Sequence, residues 1–198
     1  MTTGGVSAVM NASIPREVDA VHFVLECAPS SAIVEGPELE EPWCEGYFIE
    51  VPTIEAPFQI SIELTDAGEP ATIYDGVLPL WSDRLVRAMQ EVGVDNLQLH
   101  PAIIRDVRSS REWPYWAVNV VGLVAAVDFK ASGLPSDAAE RSDLEPEWFV
   151  IDQAKAEPFR IFRLAESPDL LLVDSQVRQA IERAGLRDIL LTEPGPGH

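Results

Sequence analysis

The feature that most constrains the fold is an order of helix, glycine and strand that occurs at two places in the chain. Ser82 and Asp174 can each cap the N-terminus of a helix, and each is followed by about ten residues without Gly or Pro. Gly93 and Gly185 then predict the helix ends, because glycine adopts the left-handed conformation there at little cost. An apolar segment that predicts a short strand follows each glycine. These units, together with 16 Pro, predict an α+β fold rather than a helical bundle.

The apolar positions of the two predicted helices coincide when the copies are aligned. The coinciding pairs are Leu85 with Val177, Ala88 with Ala180, Met89 with Ile181, and Val92 with Ala184. A spacing of i, i+3, i+4 and i+7 places each set on one buried helix face. We therefore predict a mixed, largely antiparallel sheet, on which helices near 83–92 and 175–184 pack as pseudo-repeated units. The alternative is that a common packing unit recurs by chance.

Further strands are predicted from short apolar or alternating segments. They are 21–26, 47–51, 58–64, 102–107, 113–127, 148–152 and 159–164; the alternative for the later, Ala-rich part of 113–127 is a helix. In 58–64, the side chains of Phe58, Ile60, Ile62 and Leu64 alternate with polar ones and are expected to face inward. We expect one domain, 1–198, with an acidic β-rich part at 1–70 and the two helix–strand units within 75–198.

Negative charge is concentrated in the first third of the chain. The protein has 33 acidic and 14 basic residues, and the stretch from Glu17 to Asp83 contains 15 acidic residues and no Lys or Arg. Such a field repels nucleic acid and anionic membrane surfaces and attracts cationic partners. The charge therefore predicts a protein partner with a basic surface, and neither a nucleic acid nor a membrane. The alternative is an acidic surface that serves only solubility.

The cellular location follows from the absence of targeting signals in the sequence. The N-terminal residues contain neither a positively charged segment nor a long apolar one, so they do not indicate secretion. The longest apolar run, 117–127, is interrupted by Asn119 and Gly122 and is too short to cross a bilayer. Cys27 and Cys44 are too few for a disulfide framework and are expected to be free thiols. We predict a cytoplasmic protein.

Catalytic and metal-binding patterns are scarce in the sequence. His22, His100 and His198 are too dispersed for a metal site, and His22 lies in an apolar strand, where a hydrogen-bonded core histidine is expected. Phosphate-binding loops, nucleophile elbows and zinc-binding helices are absent. We predict no cofactor, no metal and no enzymatic activity. The enzymatic alternative is a thiolate of Cys27 or Cys44 activated by a histidine.

Aromatic side chains within the acidic third indicate a binding surface, because tight interfaces often combine aromatic anchors with a charged rim. The candidate partner-binding residues are Glu38, Glu40, Glu41, Trp43, Glu45 and Tyr47. The alternative is that Tyr47 and Phe48 are strand residues, one or both of them in the core, and that Trp43 covers that core. A second aromatic group could stack on nucleic-acid bases, but the net charge of −19 favours core packing. It comprises Trp113, Tyr115 and Trp116.

Four segments have a characteristic order and spacing. They are Pro79-Leu-Trp-Ser-Asp-Arg-Leu with its continuation to Val94-Asp-Asn-Leu, Tyr115-Trp-Ala-Val-Asn-Val-Val with Val127-Asp128 beyond it, Phe159-Arg-Ile-Phe-Arg-Leu, and Val173-Asp-Ser-Gln-Val-Arg-Gln-Ala-Ile-Glu-Arg-Ala-Gly-Leu. Over roughly residues 75–192 the chain thereby resembles the immunity proteins of bacterial polymorphic toxin systems, specifically the immunity protein family typified by a myxobacterial member. Residues 1–70 match no pattern, so specificity for one toxin could reside there.

The resemblance implies a small cytoplasmic protein that binds and neutralises a cognate toxin stoichiometrically, and it transfers no catalytic residue to this chain. If the toxin is a nuclease, the carboxylates of residues 35–50 could stand in for phosphates. Two alternatives remain beside this interpretation. One is a small cysteine-dependent enzyme, and the other is a structural or regulatory subunit of a larger assembly, including a homo-oligomer.

Overall fold

A computed structural model describes residues 22–28, 33–35, 46–49, 57–64, 68–76, 78–135 and 149–195. Within these ranges the fold is α+β. The strands are β1 (His22–Cys27), β2 (Ile33–Glu35), β3 (Phe58–Glu63), β4 (Ile73–Tyr74), β5 (Leu80–Ser82), β6 (Leu97–Asp106), β7 (Glu112–Val120), β8 (Leu123–Val124), β9 (Ile161–Leu164), β10 (Ser167–Asp174) and β11 (Ile189–Thr192). The helices are α1 (Asp83–Glu91), α2 (Gln153–Ala156) and α3 (Ser175–Arg183).

The strands form two mixed sheets rather than the one sheet that was predicted. The first has the order β11-β1-β10-β9-β8 and the second the order β2-β3-β6-β7-β5-β4. Pairing is antiparallel except between β8 and β9 and between β3 and β6. The mixed, largely antiparallel pairing is therefore confirmed. The chain passes from the second sheet to the first at Gly122. Its φ of +141° turns the backbone after β7, so that β8 pairs with β9.

Both predicted helices begin at their predicted caps. The Ser82 hydroxyl accepts a hydrogen bond from the Leu85 amide at 3.4 Å. The Asp174 carboxylate accepts from the Gln176 and Val177 amides at 3.0 and 2.8 Å. These bonds satisfy amide groups that have no partner within the first turn of a helix.

The helices also end as predicted, and they contact each other. Gly93 and Gly185 follow α1 and α3 with φ of +82° and +66°. Arg84 of α1 donates to the Ala184 carbonyl just after α3, at 2.7 Å. A cationic side chain at this position complements the negative end of the α3 dipole. The origin of the two units as a repeat stays a prediction.

One shared core lies where both helices meet both sheets. Leu85, Met89, Val177 and Ile181 from the predicted helix faces are buried there, as expected, whereas Val92 and Ala184 are partly buried. The first sheet contributes Phe23, Ile161 and Val173, and the second contributes Trp81, Val118 and Val120. The opposite face of each sheet carries a further cluster, with Phe149, Phe162 and Leu172 in the first and Ile60, Ile62 and Ile104 in the second. The two sheets are therefore joined through side-chain packing as well as through the chain.

Two predicted strands differ from the structure. The prediction of a strand at 47–51 is wrong for residues 47–49. The chain turns at Gly46, which has a φ of +81°. The backbone groups of Tyr47 and Ile49 then bond to side chains instead of to a neighbouring strand. Of the segment 148–152, Ile151 forms a single antiparallel bridge with Val127. No helix in the described part of the chain is long and apolar enough to cross a membrane.

Candidate partner-binding surface

Tyr47 and Phe48 are the most exposed large hydrophobic side chains in the described ranges. Their exposed fractions are 65% and 69%. Single exposed apolar residues are ordinary on a protein surface, but two adjacent aromatic side chains supply a contact area typical of interface anchors. We call Tyr47 and Phe48 the aromatic pair, and it is the starting point of the candidate surface.

The backbone that carries the aromatic pair is held by two amide side chains, Gln98 of β6 and Asn119 of β7, which face each other in the β6–β7 register. The Gln98 side chain accepts from the Ile49 amide at 3.1 Å and donates to the Ile49 carbonyl. The Asn119 Nδ2 donates to the Tyr47 carbonyl at 2.7 Å and to Gln98 Oε1 at 3.1 Å. We call Gln98 and Asn119 the amide clamp, because together they bind the backbone on both sides of Phe48.

Gly46 fixes the other end of the segment. A Cβ at this position would lie 2.9 Å from Leu123 Cγ and 3.5 Å from Arg163 Cδ, and the φ of +81° itself favours glycine. The Gly46 carbonyl accepts from the Gly122 amide at 2.9 Å. Segment 46–49 therefore lies against β8 of the first sheet at one end and against β6 and β7 of the second sheet at the other.

The clamp explains how two aromatic side chains remain exposed on an ordered backbone. Asn119 is fully buried, and a buried amide is tolerated when it is hydrogen-bonded. Both of its N–H groups are used, whereas its Oδ1 has no hydrogen-bond partner in the described structure. An ordered backbone reduces the entropy that the aromatic pair loses when a partner covers it.

Of the six predicted partner-binding residues, Tyr47 alone lies within the described ranges. Glu38, Glu40, Glu41, Trp43 and Glu45 lie outside the described residues. Tyr47 is exposed on the clamped segment, so the alternative that Tyr47 and Phe48 are core residues of a strand is wrong. Sequence reasoning did not select Phe48, Gln98 or Asn119. The available signal was a single amide within each of two apolar strand segments, Leu97-Gln98-Leu99 and Val118-Asn119-Val120.

The second aromatic group is engaged within the chain rather than free to stack on bases. Tyr115 is buried, and the guanidinium of Arg111 lies 4.8 Å from the centre of the Trp113 ring. The polar hydrogens of the three rings are donated to Glu69 by Trp113, to the Ala71 carbonyl by Tyr115 and to Asp83 by Trp116. These contacts support the prediction of core packing.

His22 is a hydrogen-bonded core residue, as predicted. Its ring is buried, with Nδ1 3.0 Å from Gln153 Oε1 and Nε2 3.3 Å from the Phe159 carbonyl oxygen. Its ring also makes an edge contact with Phe162. Both nitrogens are therefore occupied in linking β1 to the segment around α2.

Cys27 has a free thiol that is poorly suited to nucleophilic catalysis. Burial, followed by the nearby Asp75 carboxylate, raises its pKa to about 11. The thiol is then protonated at neutral pH, whereas a nucleophilic cysteine needs the thiolate. This counts against Cys27 in the enzymatic alternative, while Cys44 lies outside the described residues. The described ranges contain no group of three His, Cys, Asp or Glu side chains placed to hold a metal ion.

Comparison of the sequence with known proteins identifies one family. No curated protein matches the chain. A family model, described as "Immunity protein family (Imm11)", matches residues 33–194. That range contains the aromatic pair, the amide clamp and both helix–strand units, and it extends nearer to the N-terminus than the resemblance found by motif. Because the match spans most of the sequence, the chain belongs to the Immunity protein family (Imm11).

Proposed function

We propose that the protein neutralises a cognate bacterial toxin by stoichiometric binding in the cytoplasm, without catalysis. The observation that carries this proposal is the exposed aromatic pair on a hydrogen-bonded backbone, in a chain of the immunity family. A surface that is already ordered before binding favours tight stoichiometric inhibition, because ordering on contact lowers affinity.

The aromatic pair and the acidic segment before it, residues 38–45, have complementary roles in this proposal. Burial of an aromatic side chain contributes about 2 kcal/mol from its apolar area, so Tyr47 and Phe48 would supply much of the affinity. The proposed acidic contacts are Glu38, Glu40, Glu41 and Glu45, with Trp43 among them. Their charge would steer a toxin with a basic surface and would raise the rate of association.

Two modes of inhibition fit such a surface. The protein would either block the toxin's active site or occupy its substrate-binding surface. For a nuclease toxin, the carboxylates of residues 35–50 would stand in for phosphates. Inhibition that persists after these carboxylates are changed to amides would contradict the phosphate-mimic form of the proposal.

The test begins with recovery of the partner from the native host, using the tagged protein at low salt and at about 0.5 M salt, where the Debye length is about 4 Å. We expect one stoichiometric protein that kills cells when it is produced alone and is harmless when it is produced with this chain. Loss of the complex at high salt assigns the affinity mainly to the acidic segment, and retention assigns it to the aromatic pair. A stable homo-oligomer without such a partner would instead support the assembly alternative.

The aromatic pair is then tested directly with Tyr47→Ala/Phe48→Ala. Two hot-spot residues together correspond to a loss of roughly 100-fold or more in affinity, measured by calorimetry with the purified toxin. Gln98→Ala removes the half of the amide clamp that binds Ile49 but leaves both rings, so we expect a smaller loss. Leu190→Ala, at an exposed apolar residue of β11, is the matched control and should bind normally. Equal affinity of the double variant and this control would contradict the proposed surface.

A further inference from the structure

The outer edge of β11 lacks the usual protection of a sheet edge. β11 is a terminal strand of the first sheet, and it pairs with β1 on one side only. Its sequence, Ile-Leu-Leu-Thr, contains neither a charged residue nor a proline, and its register with β1 is regular over the whole strand. Charges, prolines and bulges commonly prevent edge strands from pairing with other chains. The outer edge of β11 is therefore able to pair with a further strand.

The hydrogen-bonding groups that face outward belong to Ile189 and Leu191. The Ala28 amide donates to the Asp188 carbonyl at 2.8 Å, and these two residues are opposite each other when the β1–β11 register is extended. Hydrogen-bonded and non-hydrogen-bonded pairs alternate along an antiparallel ladder. Leu190 is therefore bonded to β1, whereas the amides and carbonyls of Ile189 and Leu191 point away from it. Within the described ranges, no hydrogen bond occupies these outward groups.

Leu190 lies at the middle of this edge, and 47% of its side chain is exposed. Its neighbours Ile189 and Leu191 pack in the shared core, so the alternation of the strand turns Leu190 to the opposite face of the sheet. The start of the strand is fixed, because the Asp188 carboxylate accepts from the amide and the hydroxyl of Thr72 at 2.5 Å each. The edge is thus ordered, with an exposed apolar side chain at its centre.

The charges that flank β11 are complementary to themselves. Arg187 and Glu193 are both exposed, and they lie three residues before and three residues after Leu190. If two copies of the edge run antiparallel with Leu190 opposite Leu190, Arg187 of each copy is opposite Glu193 of the other. Ile189 is then opposite Leu191, so their outward amides and carbonyls bond to each other across the twofold axis. One register therefore satisfies the backbone, the exposed leucine and both charges.

We propose that two copies of this protein associate by antiparallel pairing of β11, with the twofold axis at Leu190. Such a contact uses the same edge of both copies, so it closes as a dimer and does not grow into a fibre. A second copy is the occupant because the charge pattern of the edge is complementary to itself. The net charge of −19 opposes association, but charges more than about 8 Å apart are largely screened at physiological salt.

The dimer leaves the aromatic pair free. β11 and β8 are the two opposite edges of the first sheet. The aromatic pair follows Gly46, whose carbonyl accepts from the Gly122 amide just before β8. The dimer would therefore carry two aromatic pairs at its far edges and, if the proposed function holds, would bind two toxin molecules. The inference does not rest on that function, because it follows from β11 alone.

Sedimentation equilibrium of the full protein tests the association at physiological salt. We expect the mass to rise from 21.8 kDa toward twice that value with concentration, and weakly, since pairing of one short edge is a small interface. Leu190→Lys places two ammonium groups opposite each other and should weaken dimerisation about 10-fold or more. Val107→Lys, at an exposed apolar residue outside β11, is the matched control and should dimerise like the wild type. A protein that stays monomeric up to about 1 mM, or equal dimerisation of the two variants, would overturn the inference.

An exchange of charges tests the register. Arg187→Glu and Glu193→Arg each place like charges opposite each other and should weaken dimerisation about 3-fold. Arg187→Glu/Glu193→Arg restores opposite charges and should dimerise within about 2-fold of the wild type. The two residues are roughly 20 Å apart within one chain, so a contact inside the monomer does not explain this recovery. Additive losses in the double variant would contradict the proposed register.

Cross-linking tests the position of the axis in a Cys27→Ala/Cys44→Ala background. Leu190 faces its own copy as a non-hydrogen-bonded pair, with Cα atoms about 4.5 Å apart, which is within the range of a disulfide. Leu190→Cys should therefore give a covalent dimer on mild oxidation. Thr192→Cys should not, because its two copies would be roughly 13 Å apart along the strands. Failure of Leu190→Cys to cross-link, or equal cross-linking of Thr192→Cys, would overturn the inference.

Discussion

Asp106 shows how one carboxylate can stabilise the turn between β6 and β7. Its side chain accepts hydrogen bonds from the Ser109 hydroxyl at 2.5 Å, the Ser109 amide at 2.9 Å and the Leu64 amide at 3.3 Å. The hydroxyl bond from Ser109 is the main cause of a pKa that is lowered to about 2, and the amides add to it. The turn and the end of β3 are therefore joined through the ionised form of one side chain.

The stability of the protein should depend on pH through the side chain of Asp106. Its pKa is about 2 in the folded chain and near 3.8 when unfolded, so its contribution is complete above 3.8 and is lost as the pH falls toward 2. Asp106→Asn should lower the free energy of unfolding at pH 6, and the difference from wild type should shrink between pH 4 and pH 2. Urea unfolding at several pH values measures this difference. A gap that stays constant with pH would contradict the assignment.

Single residues also show what the sequence could predict. Gly93 and Gly185 could be assigned to helix ends, because their role depends on the neighbouring helix alone. The roles of Gln98 and Asn119 depend on a backbone segment far away in sequence, at Tyr47 and Ile49. Local periodicity carries no information about such a partner, so the amide clamp could not be predicted.

At the scale of elements, each helix–strand unit depends on its glycine stop. Gly185 has a φ of +66°, and a Cβ there would meet no atom within 4 Å, so a substitution has a conformational cost without a steric clash. The same open surroundings occur at Gly68, which does not have a positive φ in the left-handed range. The two glycines therefore form a matched pair for separating backbone strain from packing.

We expect Gly185→Ala to reduce the free energy of unfolding by about 1 kcal/mol, because the left-handed conformation is unfavourable for a residue with a Cβ. Gly185→Asn should lose less, since asparagine tolerates this conformation better. Gly68→Ala should change stability by less than about 0.5 kcal/mol. Thermal and urea unfolding of the three variants measure these values. A loss at Gly68 as large as that at Gly185 would mean that the φ angle is not the cause.

Elements with strong local patterns were predicted well, and those defined by distant contacts were not. The alternation in Phe58–Glu63 correctly placed Ile60 and Ile62 in the core. The apolar segment 47–51 resembles a strand locally, yet no neighbouring strand pairs with its described residues. Hydrogen bonds from the side-chain amides of Gln98 and Asn119 replace those that a neighbouring strand would make. The aromatic pair is consequently exposed rather than buried.

At the scale of the whole molecule, the acidic part at 1–70 and the part at 75–198 are interleaved. β1 lies between β10 and β11, and β3 pairs with β6. The amino-acid composition distinguishes the two parts by their charge. The number of sheets depends on which strands pair with each other, and hydrophobic periodicity does not specify that pairing. We propose that the chain forms a single folding unit, because both sheets contribute to the shared core.

This proposal predicts one cooperative transition. Tryptophan fluorescence and far-ultraviolet circular dichroism should give the same urea midpoint within error, since Trp81 lies in the core shared by both sheets. A fragment of residues 75–198 should lack cooperative unfolding, because its first sheet would lose β1, the strand that joins β11 to β10. Two separated midpoints, or a cooperatively folded fragment, would show that the parts fold independently.

The position of β1 also determines when the protein becomes complete during its own synthesis. Leu25 pairs with Leu171 on one side and with Leu191 on the other. At about 5–20 residues per second, a ribosome needs on the order of 10 s to travel from the first leucine to its later partners. Until then β1 lacks both of its neighbouring strands, β10 and β11, so the first sheet of a partly made chain is incomplete. For the proposed immunity function, protection would come only from finished molecules, and a cell would need a reserve of them before its toxin is made.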